Sequence, residues 1–336
     1  SNYNDASALT ALGLHALQHR GQEAAGIVSF DGAHFHSHRS LGSVGDHFSN
    51  ATVIDRLGGE SAIGHVRYST TGETVLRNVQ PLFADLAGGG LAIAHNGNIT
   101  NATQLRRKLE KRGSIFQSTM DTEVIVHLIA TCPQTLFIEK LIEALRDLIG
   151  AYSLVIQTHE ALIGARDPYG VRPLVLGELD GGYILCSETC ALDIIGATFV
   201  RDIEPGEVVV IDETGLRSLR PFPNTIQNRF CVFEYIYFSR PDSVVEGVNV
   251  YQSRKKIGAE LAREHGVDVD LVVPVPDSGV PGAIGYAEHA GVPFDLGIIR
   301  NHYVGRTFIE PMDSIRHLGV RLKHNANNSC IKGKKI

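Results

Sequence analysis

The chain has 336 residues, of which 43% are hydrophobic and 20% are charged, and its net charge is −6. This composition is typical of a globular protein long enough for two domains, and it argues against disorder. The 31 basic residues are mixed with 37 acidic ones and form no long basic stripe, so nucleic acid is not expected as a partner. No apolar run is long enough for a membrane helix, and the first residues lack a signal-peptide pattern. A cytoplasmic protein is therefore expected.

The cysteines do not indicate a disulfide framework. There are five, an odd count without regular spacing: Cys132, Cys186, Cys190, Cys231 and Cys330. Cys186 and Cys190 stand in CSETC, which is looser than a CxxC pair and has no second pair nearby. Buried structural thiols are therefore favoured over a metal site for these two residues.

The first part of the chain contains many short strands interrupted by helices. Apolar residues at three- and four-residue steps predict a first helix in ASALTALGLHALQHRG, which ends at Gly21. Strands are predicted in EAAGIVSF, SAIGHVRYS, GLAIAHNG, AYSLVIQ, EALIGAR, YILCS and EVVVID. Further helices are predicted in NATQLRRKLEKRG, in DTEVIVHLIAT with Asp121 as its N-cap, and in LFIEKLIEALRDLIG. Because strand and helix do not alternate strictly, this pattern indicates a layered α+β domain.

The pattern changes after PFPNTIQNR. CVFEYIYFSRPDS predicts an aromatic strand and turn, NVYQSRKKIGAELAREHG a helix, LVVPVPDSGV a strand that runs into a loop, and FDLGIIR a buried strand. Alternation of strand, helix and strand is what a parallel α/β sheet requires. The predicted domains are therefore residues 1–225 and residues 226–336.

Three polar clusters in the first domain follow predicted strands or precede a helix. They contain Arg67 in HVRYSTTG, Asn96 and Gly97 in AHNGNIT, and Asp121 in STMDTEV. An arginine and an aspartate together suit the carboxylate and the ammonium of an amino acid. An asparagine amide and a glycine N–H could stabilise a tetrahedral oxyanion. Taken alone, the Asn96–Gly97 pair favours a hairpin turn, and Arg67 and Asp121 are compatible with a surface ion pair and a helix cap, respectively.

Five segments in this order resemble the glutaminase domain of the N-terminal-nucleophile amidotransferases. They are LQHRGQEAAGI at 17–27, HVRYSTTG at 65–72, AHNGNITN at 94–101, MDTEV at 120–124 and RDPYGVRPL at 166–174. The resemblance implies a layered αββα fold in which Arg67 and Asp121 bind the two ends of glutamine. It also implies that Asn96 and Gly97 form the oxyanion hole and that Arg20 lies beside the nucleophile.

The nucleophile of that family is a cysteine at the mature N-terminus, at the start of a short strand, and its own α-amino group serves as the base. This sequence opens with Ser1, directly before the first helix. About ten preceding residues that include the cysteine are therefore expected, and none of the five cysteines is assigned as the nucleophile.

The loop in VVPVPDSGVPGAIGYAEHAG follows a predicted strand and opens a helix, so its N–H groups could hold an anion, although a plain turn is an alternative. FEYIYFSRPDS, VPDSGVPGA and IIRNHYVGRTFIEP resemble the phosphoribosyltransferase domain of the glutamine phosphoribosylpyrophosphate amidotransferases. The resemblance implies that Asp277 and Ser278 meet the pyrophosphate. It places Tyr303 and Arg306 in a loop that closes on bound phosphoribosylpyrophosphate.

Membership of this family implies two coupled reactions. Glutamine is hydrolysed in the first domain, and the ammonia displaces pyrophosphate from C1 of phosphoribosylpyrophosphate in the second, with Mg²⁺ on the leaving group. The family's 5-phosphate loop follows the position at which KGKKI ends, so an incomplete phosphoribosyltransferase-type α/β domain is expected. The resemblance further implies a homo-oligomer, expected to be a tetramer, that is inhibited by purine nucleotides. Cys231 matches a ligand of the [4Fe-4S] cluster found in one branch, with a structural thiol as the alternative.

Other functions are compatible with parts of this pattern. One is a non-catalytic regulatory homologue that binds glutamine, and another is a glutaminase domain that serves a different amidotransferase. The segments VPDSG and RNHYVGRTF argue against the second of these. A purely structural α/β scaffold would not require five motifs in the family order.

Overall fold

The computed structural model describes residues 6–68, 74–223, 227–303 and 320–336. Within them, contacts divide the chain into two compact units. The first unit extends to Val232 and includes Val244–Glu246, and the second contains Phe233–Ser243 and the residues from Gly247 onward. The domain limits 1–225 and 226–336 stay a prediction. No helix among the described residues is long and apolar enough to cross a membrane.

The first unit contains the predicted strands and helices together with several elements that were not predicted, among them α2, α3 and β2. The helices are α1 (Ala6–Ala16), α2 (Val44–Phe48), α3 (Ala51–Asp55), α4 (Ala102–Glu110), α5 (Thr122–Thr131), α6 (Phe137–Asp147) and α7 (Thr189–Ile195). The strands are β1 (Ala24–Phe30), β2 (Phe35–Leu41), β3 (Ser61–Arg67), β4 (Leu82–Leu86), β5 (Gly89–Ile99), β6 (Gly150–Thr158), β7 (Leu162–Arg166), β8 (Val175–Leu179), β9 (Gly182–Cys186), β10 (Thr198–Asp202), β11 (Val208–Asp212), β12 (Gly215–Leu219) and β13 (Val244–Val245).

These strands form layered antiparallel sheets. A six-stranded sheet has the order β12-β11-β7-β6-β5-β4, and two three-stranded sheets have the orders β2-β1-β3 and β10-β8-β9. Helix α5 packs on β5 on one side of the six-stranded sheet, β3 contacts β5 and β6 on its other side, and α1 and α7 pack together, with α1 covering β3. The order of layers is therefore helix, sheet, sheet, helix, as the resemblance implied.

The hydrophobic core follows from this layering. The largest cluster lies between the six-stranded sheet and helices α5 and α6, with Ile125, Ile129 and Leu141 fully buried. A separate cluster joins α1 to β1 and contains Leu14 and Ile27. In α6 the buried residues recur at three- and four-residue steps, the spacing that places side chains on one helix face. Packing of these apolar faces fixes the strand ends that carry the polar clusters.

The second unit contains β14 (Val248–Asn249), α8 (Val250–Glu264), α9 (Val280–Ala290), β15 (Ile298–Arg300), β16 (His324–Ala326) and α10 (Asn328–Ile331). Helices α8 and α9 pack closely because glycines face the partner backbone. A Cβ on Gly258 would lie 1.9 Å from the Gly282 carbonyl oxygen, and a Cβ on Gly285 would lie 2.0 Å from that of Lys255. Replacing either glycine by alanine would force the two helices apart.

Two secondary-structure predictions in the second unit were wrong. The segment predicted as an aromatic strand forms a π-helical turn over Glu234–Phe238. The turn is closed by Ser239, whose N–H donates to the Glu234 carbonyl and whose hydroxyl donates to the buried Glu234 carboxylate at 2.7 Å. Phe233 packs on Tyr237 at a ring-centroid distance of 5.7 Å, a contact that helical rather than strand spacing allows.

The strand predicted in LVVPV is reduced to a single parallel bridge between Val272 and Phe294. Pro274 and Pro276 have no N–H to donate to a sheet, which explains the loss of the remaining ladder. The strand predicted in FDLGIIR is limited to β15, which pairs antiparallel with β16. Within the described residues, the parallel pairing expected here is therefore confined to that one bridge.

Candidate functional site

The C-terminal end of β5 carries a row of backbone N–H groups into the candidate site. Along a strand, successive N–H groups point to opposite neighbours, so those of His95, Gly97 and Ile99 face the same side. The His95 N–H donates to Gln80 Oε1 at 2.7 Å, and the Ile99 N–H donates to Asp121 Oδ2 at 2.9 Å. Gly97 lies between these two positions and presents its N–H to the same side.

Gly97 is required by close packing as well as by its conformation. Its φ is +157°, and a Cβ at this position would lie 2.0 Å from the Ala151 carbonyl oxygen of the paired strand β6. Taken alone, the Asn96–Gly97 pair favoured a hairpin turn, but it lies inside the continuous strand β5. The partly buried Asn96 lines a cavity on the face of the six-stranded sheet that β3 contacts, opposite α5.

Asp121 is the N-cap residue of helix α5, as predicted, although its side chain makes no capping hydrogen bond. Its carboxylate instead accepts the Ile99 N–H, and its Oδ1 lies 3.7 Å from His95 Nδ1. Burial alone would raise the pKa of Asp121, which is only 7% exposed. The contacts with His95 and the Ile99 N–H outweigh that effect and hold the pKa below its usual value. Asp121 is therefore a buried carboxylate with a negative charge at neutral pH.

Arg67 ends β3 and is 2% exposed. Its Nη1 donates to the Asn78 carbonyl at 2.7 Å and lies 2.6 Å from Met120 Sδ, directly before Asp121 in the chain. Burial lowers the pKa of Arg67, and the negative charges of Glu23 and Asp121 oppose that effect. The guanidinium remains charged, since arginine is not deprotonated in proteins. Arg67 and Asp121 thus place a buried cation and a buried anion in one site.

Arg20 lies in the turn after α1, next to the end of β3. A Cβ on Gly21 would lie 2.3 Å from the backbone carbon of Arg67, so the two segments touch. Arg20 Nη1 donates to Glu188 Oε1 at 2.6 Å, and His19 Nε2 lies 2.6 Å from the same oxygen. Glu188 is fully buried, yet these partners outweigh the effect of burial and lower its pKa to about 2. This ionic cluster fixes the turn that carries Arg20.

A cavity of about 450 Å³ adjoins the site within the first unit. It is lined by α1, by β3 and β9, and by residues of β5 that include Asn96. Among the described residues, β3 and β9 are each paired along one edge only. Both strands run toward the site, β3 ending at Arg67 and β9 ending at Cys186, two residues before Glu188. The cavity is therefore a slot between two strand edges, and its end at Asn96 adjoins the site.

His65, which lines this slot, is expected to make folding dependent on pH. Its Nε2–H donates to the His95 carbonyl at 3.1 Å, and burial lowers its pKa from 6.5 to about 3. The unfolded chain therefore binds a proton at His65 first, so the stability present above pH 6.5 is lost as the pH falls toward 3. The slope is at most about 1.4 kcal/mol per pH unit for one proton. Denaturant titrations of the parent and of His65→Gln between pH 6.5 and 4.5 measure the difference.

His65→Gln should show the shallower pH dependence in this interval. The comparison isolates His65 because the other acid-sensitive groups, such as His38 and Glu188, are present in both proteins. Equal slopes for the two proteins would contradict the prediction.

The candidate residues of the second unit lie in or near loops. Asp277 and Ser278 precede α9, and the Asp277 carboxylate is in close contact with the Arg300 guanidinium at the end of β15. Tyr303 is fully exposed. Arg306 lies outside the described residues. An ion pair that joins the Asp277 loop to β15 was not expected from the sequence.

Cys231 belongs to the first unit, where its N–H donates to the Val171 carbonyl at 3.2 Å. In the part of the chain that the structure describes, no group of three or more His, Cys, Asp or Glu side chains could hold a metal ion. A cluster bound by several thiolates does not fit Cys231 and these residues alone. Cys186 and Cys190, like the other cysteines, form no disulfide, and Cys190 is buried. Burial raises the pKa of the Cys186 thiol, as expected for a structural residue.

Several residues of the site were not found from the sequence. Gln80, His95 and Glu188 are polar, buried and joined to the site by hydrogen bonds. His95 stands within the AHNGNIT cluster, so its position beside Asn96 was a usable signal. Gln80 and Glu188 carried no such signal, because their partners are distant in the sequence.

Comparison with known proteins agrees with this geometry. Residues 65–193 match the family model of a glutamine amidotransferase domain. The chain is 59% identical to the amidophosphoribosyltransferase of Rhizobium etli, over 99% of the chain and 68% of that protein. It is 47% identical to the amidophosphoribosyltransferase of Bacillus subtilis, over 99% of the chain and 70% of that protein. The chloroplastic enzyme of Glycine max is 52% identical, with 58% of its length covered.

A solved structure of the Bacillus subtilis glutamine phosphoribosylpyrophosphate amidotransferase, complexed with ADP and GMP, has a TM-score of 0.91 to this chain. The two are 46% identical, and the match covers 98% of this chain and 72% of the other. A structure described as the allosteric regulatory enzyme of purine biosynthesis has a TM-score of 0.92 at 47% identity, covering 98% and 71%.

Fold and site thus define a glutamine amidotransferase whose first unit has the N-terminal-nucleophile fold. The chain belongs to the amidophosphoribosyltransferase family, which comprises glutamine-dependent enzymes of purine biosynthesis. The resemblance stated from the sequence motifs is confirmed.

Proposed function

We propose that the first unit binds glutamine with its α-carboxylate on Arg67 and its α-ammonium on Asp121. The observation that supports this assignment is the convergence of a buried guanidinium and a buried carboxylate at the open end of the β5 N–H row. Paired charges of this kind recognise a zwitterion, and their burial strengthens each contact. The side-chain amide of glutamine then extends along β5 toward Asn96 and Gly97.

Asn96 and Gly97 supply the donors for the oxyanion. The nucleophile attacks the glutamine carboxamide and forms a bond to its carbon, and the electron pair of the C=O bond moves onto the oxygen. The Gly97 N–H and the Asn96 side-chain amide then stabilise this developing charge. Collapse of the adduct expels ammonia, and water releases glutamate from the acyl intermediate. Arg20, whose guanidinium donates to Glu188, would lie beside the nucleophile, as the family pattern implies.

The slot between β3 and β9 fits an extended segment that carries this nucleophile. A segment that starts at the Asn96 end would run antiparallel to β3 and to β9 and would pair with both edges. It would join the two three-stranded sheets into one. Its first residue would lie beside Arg67 and Asn96, where an N-terminal cysteine could attack the amide and its own α-amino group could accept the proton.

In the second unit, the ammonia displaces pyrophosphate from C1 of phosphoribosylpyrophosphate to give phosphoribosylamine. Asp277 and Ser278 precede a helix N-terminus of the kind that binds phosphate, and Tyr303 and Arg306 belong to the loop proposed to close on the substrate. Magnesium, when bound, would neutralise charge on the pyrophosphate, and the Asp277 carboxylate supplies the oxygen ligand type that it prefers. Arg300 would have to release Asp277 for that role.

Regulation and assembly are proposed from the family. The Bacillus subtilis relative was solved with ADP and GMP, which supports purine nucleotides as regulators of this chain. By the family pattern, the chain would form a homo-oligomer in the cytoplasm, which is expected to be a tetramer. By the same pattern, residues outside 226–336 would complete the phosphoribosyltransferase part. A [4Fe-4S] cluster at Cys231 would need ligands other than the described residues.

The test is a double assay on the full-length protein. Glutamate release from glutamine, and pyrophosphate release that requires both glutamine and phosphoribosylpyrophosphate, are expected together. Labelling with a diazoketone analogue of glutamine, followed by peptide mass spectrometry, should place the adduct on the N-terminal residue. Glutamine binding without hydrolysis would instead indicate a regulatory homologue. Hydrolysis without any use of phosphoribosylpyrophosphate would indicate a glutaminase that serves another reaction.

A further inference from the structure

The side chain of Gln80 takes the place of a strand partner where β5 enters the site. Strand β4 begins at Leu82, which pairs with Ile93, so the same register places Gln80 opposite His95. The backbone ladder ends before this pair, and the intervening Pro81 has no N–H to extend it. The Gln80 carboxamide makes the two bonds instead. Its Oε1 accepts the His95 N–H at 2.7 Å, and its Nε2–H donates to the His95 carbonyl at 3.2 Å.

This carboxamide is held firmly and cannot be replaced by solvent. Gln80 is 2% exposed, and Gly26 lies so close to its backbone that a Cβ there would be 2.3 Å from the Gln80 carbonyl oxygen. Without the side chain, the His95 N–H would be a buried donor without its partner, which is strongly unfavourable. The backbone would have to move in order to satisfy it.

The residues that would move are the oxyanion donors. Asn96 and Gly97 follow His95 directly. The Gly97 N–H faces the same side of β5 as the His95 N–H, which donates to Gln80. If the Gln80 backbone paired with His95, the strand pairing could continue past His95. Because the Gln80 side chain makes the bonds instead, the pairing ends at His95. The side of β5 at Gly97 is thereby left accessible to substrate while His95 stays fixed.

We propose that Gln80 is a positioning residue for glutamine hydrolysis, which acts by fixing the His95 backbone so that the Gly97 N–H and the Asn96 amide point at the oxyanion. The inference rests on the proposed glutaminase function. Because the oxyanion exists only after attack, a misplaced donor lowers kcat and leaves KM for glutamine nearly unchanged. A displacement of this kind costs about 10- to 100-fold in rate.

The experiment compares Gln80→Met, Gln80→Glu and a matched control, Gln157→Met, in the full-length protein. Gln157 is also a buried glutamine, at the far end of β6, and its Nε2–H donates to a backbone carbonyl. Steady-state glutaminase kinetics are measured together with the inhibition constants of two ligands. Glutamate γ-semialdehyde forms a tetrahedral adduct when the nucleophile adds to its carbonyl carbon, and the electron pair of the C=O bond becomes the oxyanion. Glutamate binds without such an adduct.

For Gln80→Met, kcat should fall about 10- to 100-fold while KM changes less than about 2-fold. Inhibition by the aldehyde should weaken by the same factor as kcat, and inhibition by glutamate should be unchanged. Gln157→Met should alter none of these ratios. A folded Gln80→Met protein with parental kcat, or with aldehyde and glutamate inhibition weakened equally, would overturn the inference. A parent protein that does not hydrolyse glutamine would overturn the proposed function instead.

Gln80→Glu keeps the shape of the side chain and serves if the methionine variant does not fold. The introduced carboxylate, when ionised, can accept the His95 N–H but cannot donate to the His95 carbonyl, whereas the protonated acid can do both. The kcat of this variant relative to the parent should therefore recover as the pH is lowered through the pKa of the new carboxyl. A relative kcat that does not change with pH, or that equals the parental value throughout, contradicts the positioning role.

Discussion

Asp121→Asn is expected to lower kcat/KM for glutamine by about 30- to 1000-fold, equivalent to about 2–4 kcal/mol of lost binding to a charged group in a buried site. The amide keeps the shape of the carboxylate and can still accept the Ile99 N–H, so the fold is retained. It cannot balance the positive charge of the substrate α-ammonium. Steady-state glutaminase kinetics with glutamine and with 4-carbamoylbutanoate, which lacks the α-amino group, measure the effect.

The preference for glutamine over 4-carbamoylbutanoate should largely disappear in Asp121→Asn. Glu123→Gln is the matched control, because it makes the same chemical change two residues further along α5. The Glu123 carboxylate accepts the Ser118 N–H and hydroxyl and has no place in the glutamine site. If Asp121→Asn lowered activity on both substrates by the same factor, the carboxylate would not be the ammonium ligand.

Glu188→Ala is expected to destabilise the protein by about 3–5 kcal/mol, since it leaves the buried Arg20 guanidinium without its closest anion. Because the folded pKa of Glu188 is lowered to about 2 from 4.5, its stabilising effect is fully present above pH 4.5 and is lost as the pH falls toward 2. Chemical denaturation at pH 7 and at pH 3 measures both effects. The difference between parent and variant should be smaller at pH 3.

Glu204→Ala provides the contrast. Its carboxylate also lies 2.6 Å from an arginine, Arg220, but these side chains are 59% and 49% exposed, and such pairs contribute about 0–1 kcal/mol. Equal losses from the two substitutions would show that burial of the Glu188 cluster does not determine its contribution. A loss for Glu188→Ala that stays constant from pH 7 to pH 3 would contradict the assigned ionisation.

The strands and helices of the first unit were predictable because each depends on a short-range pattern. Helical spacing in LFIEKLIEALRDLIG marks the face of α6 that packs on the core, and that face is buried as expected. CVFEYIYF failed because aromatic residues favour strands on average, whereas the buried Glu234–Ser239 bond favours a helical turn. No local pattern distinguishes these outcomes.

The candidate site divides in the same way. Arg67, Asn96, Gly97 and Asp121 were predicted as candidates from the sequence because they stand in three recognisable motifs. The structure shows how β5 brings these motifs together, and it adds that the carboxylate of the N-cap residue Asp121 accepts the Ile99 N–H. The roles of the four residues in binding and catalysis remain a prediction that the Asp121 experiment tests in part.

The sequence by itself determined the family, the order of the motifs and most of the local elements of the first unit, since these depend on residue types at short spacing. Only the tertiary structure decided which buried polar groups pair. Glu188 meets Arg20 across 168 residues, and Gln80 completes the edge of β5 at His95. Such pairs depend on the order and register of strands, and buried polar groups must find partners wherever the packed sheets place them.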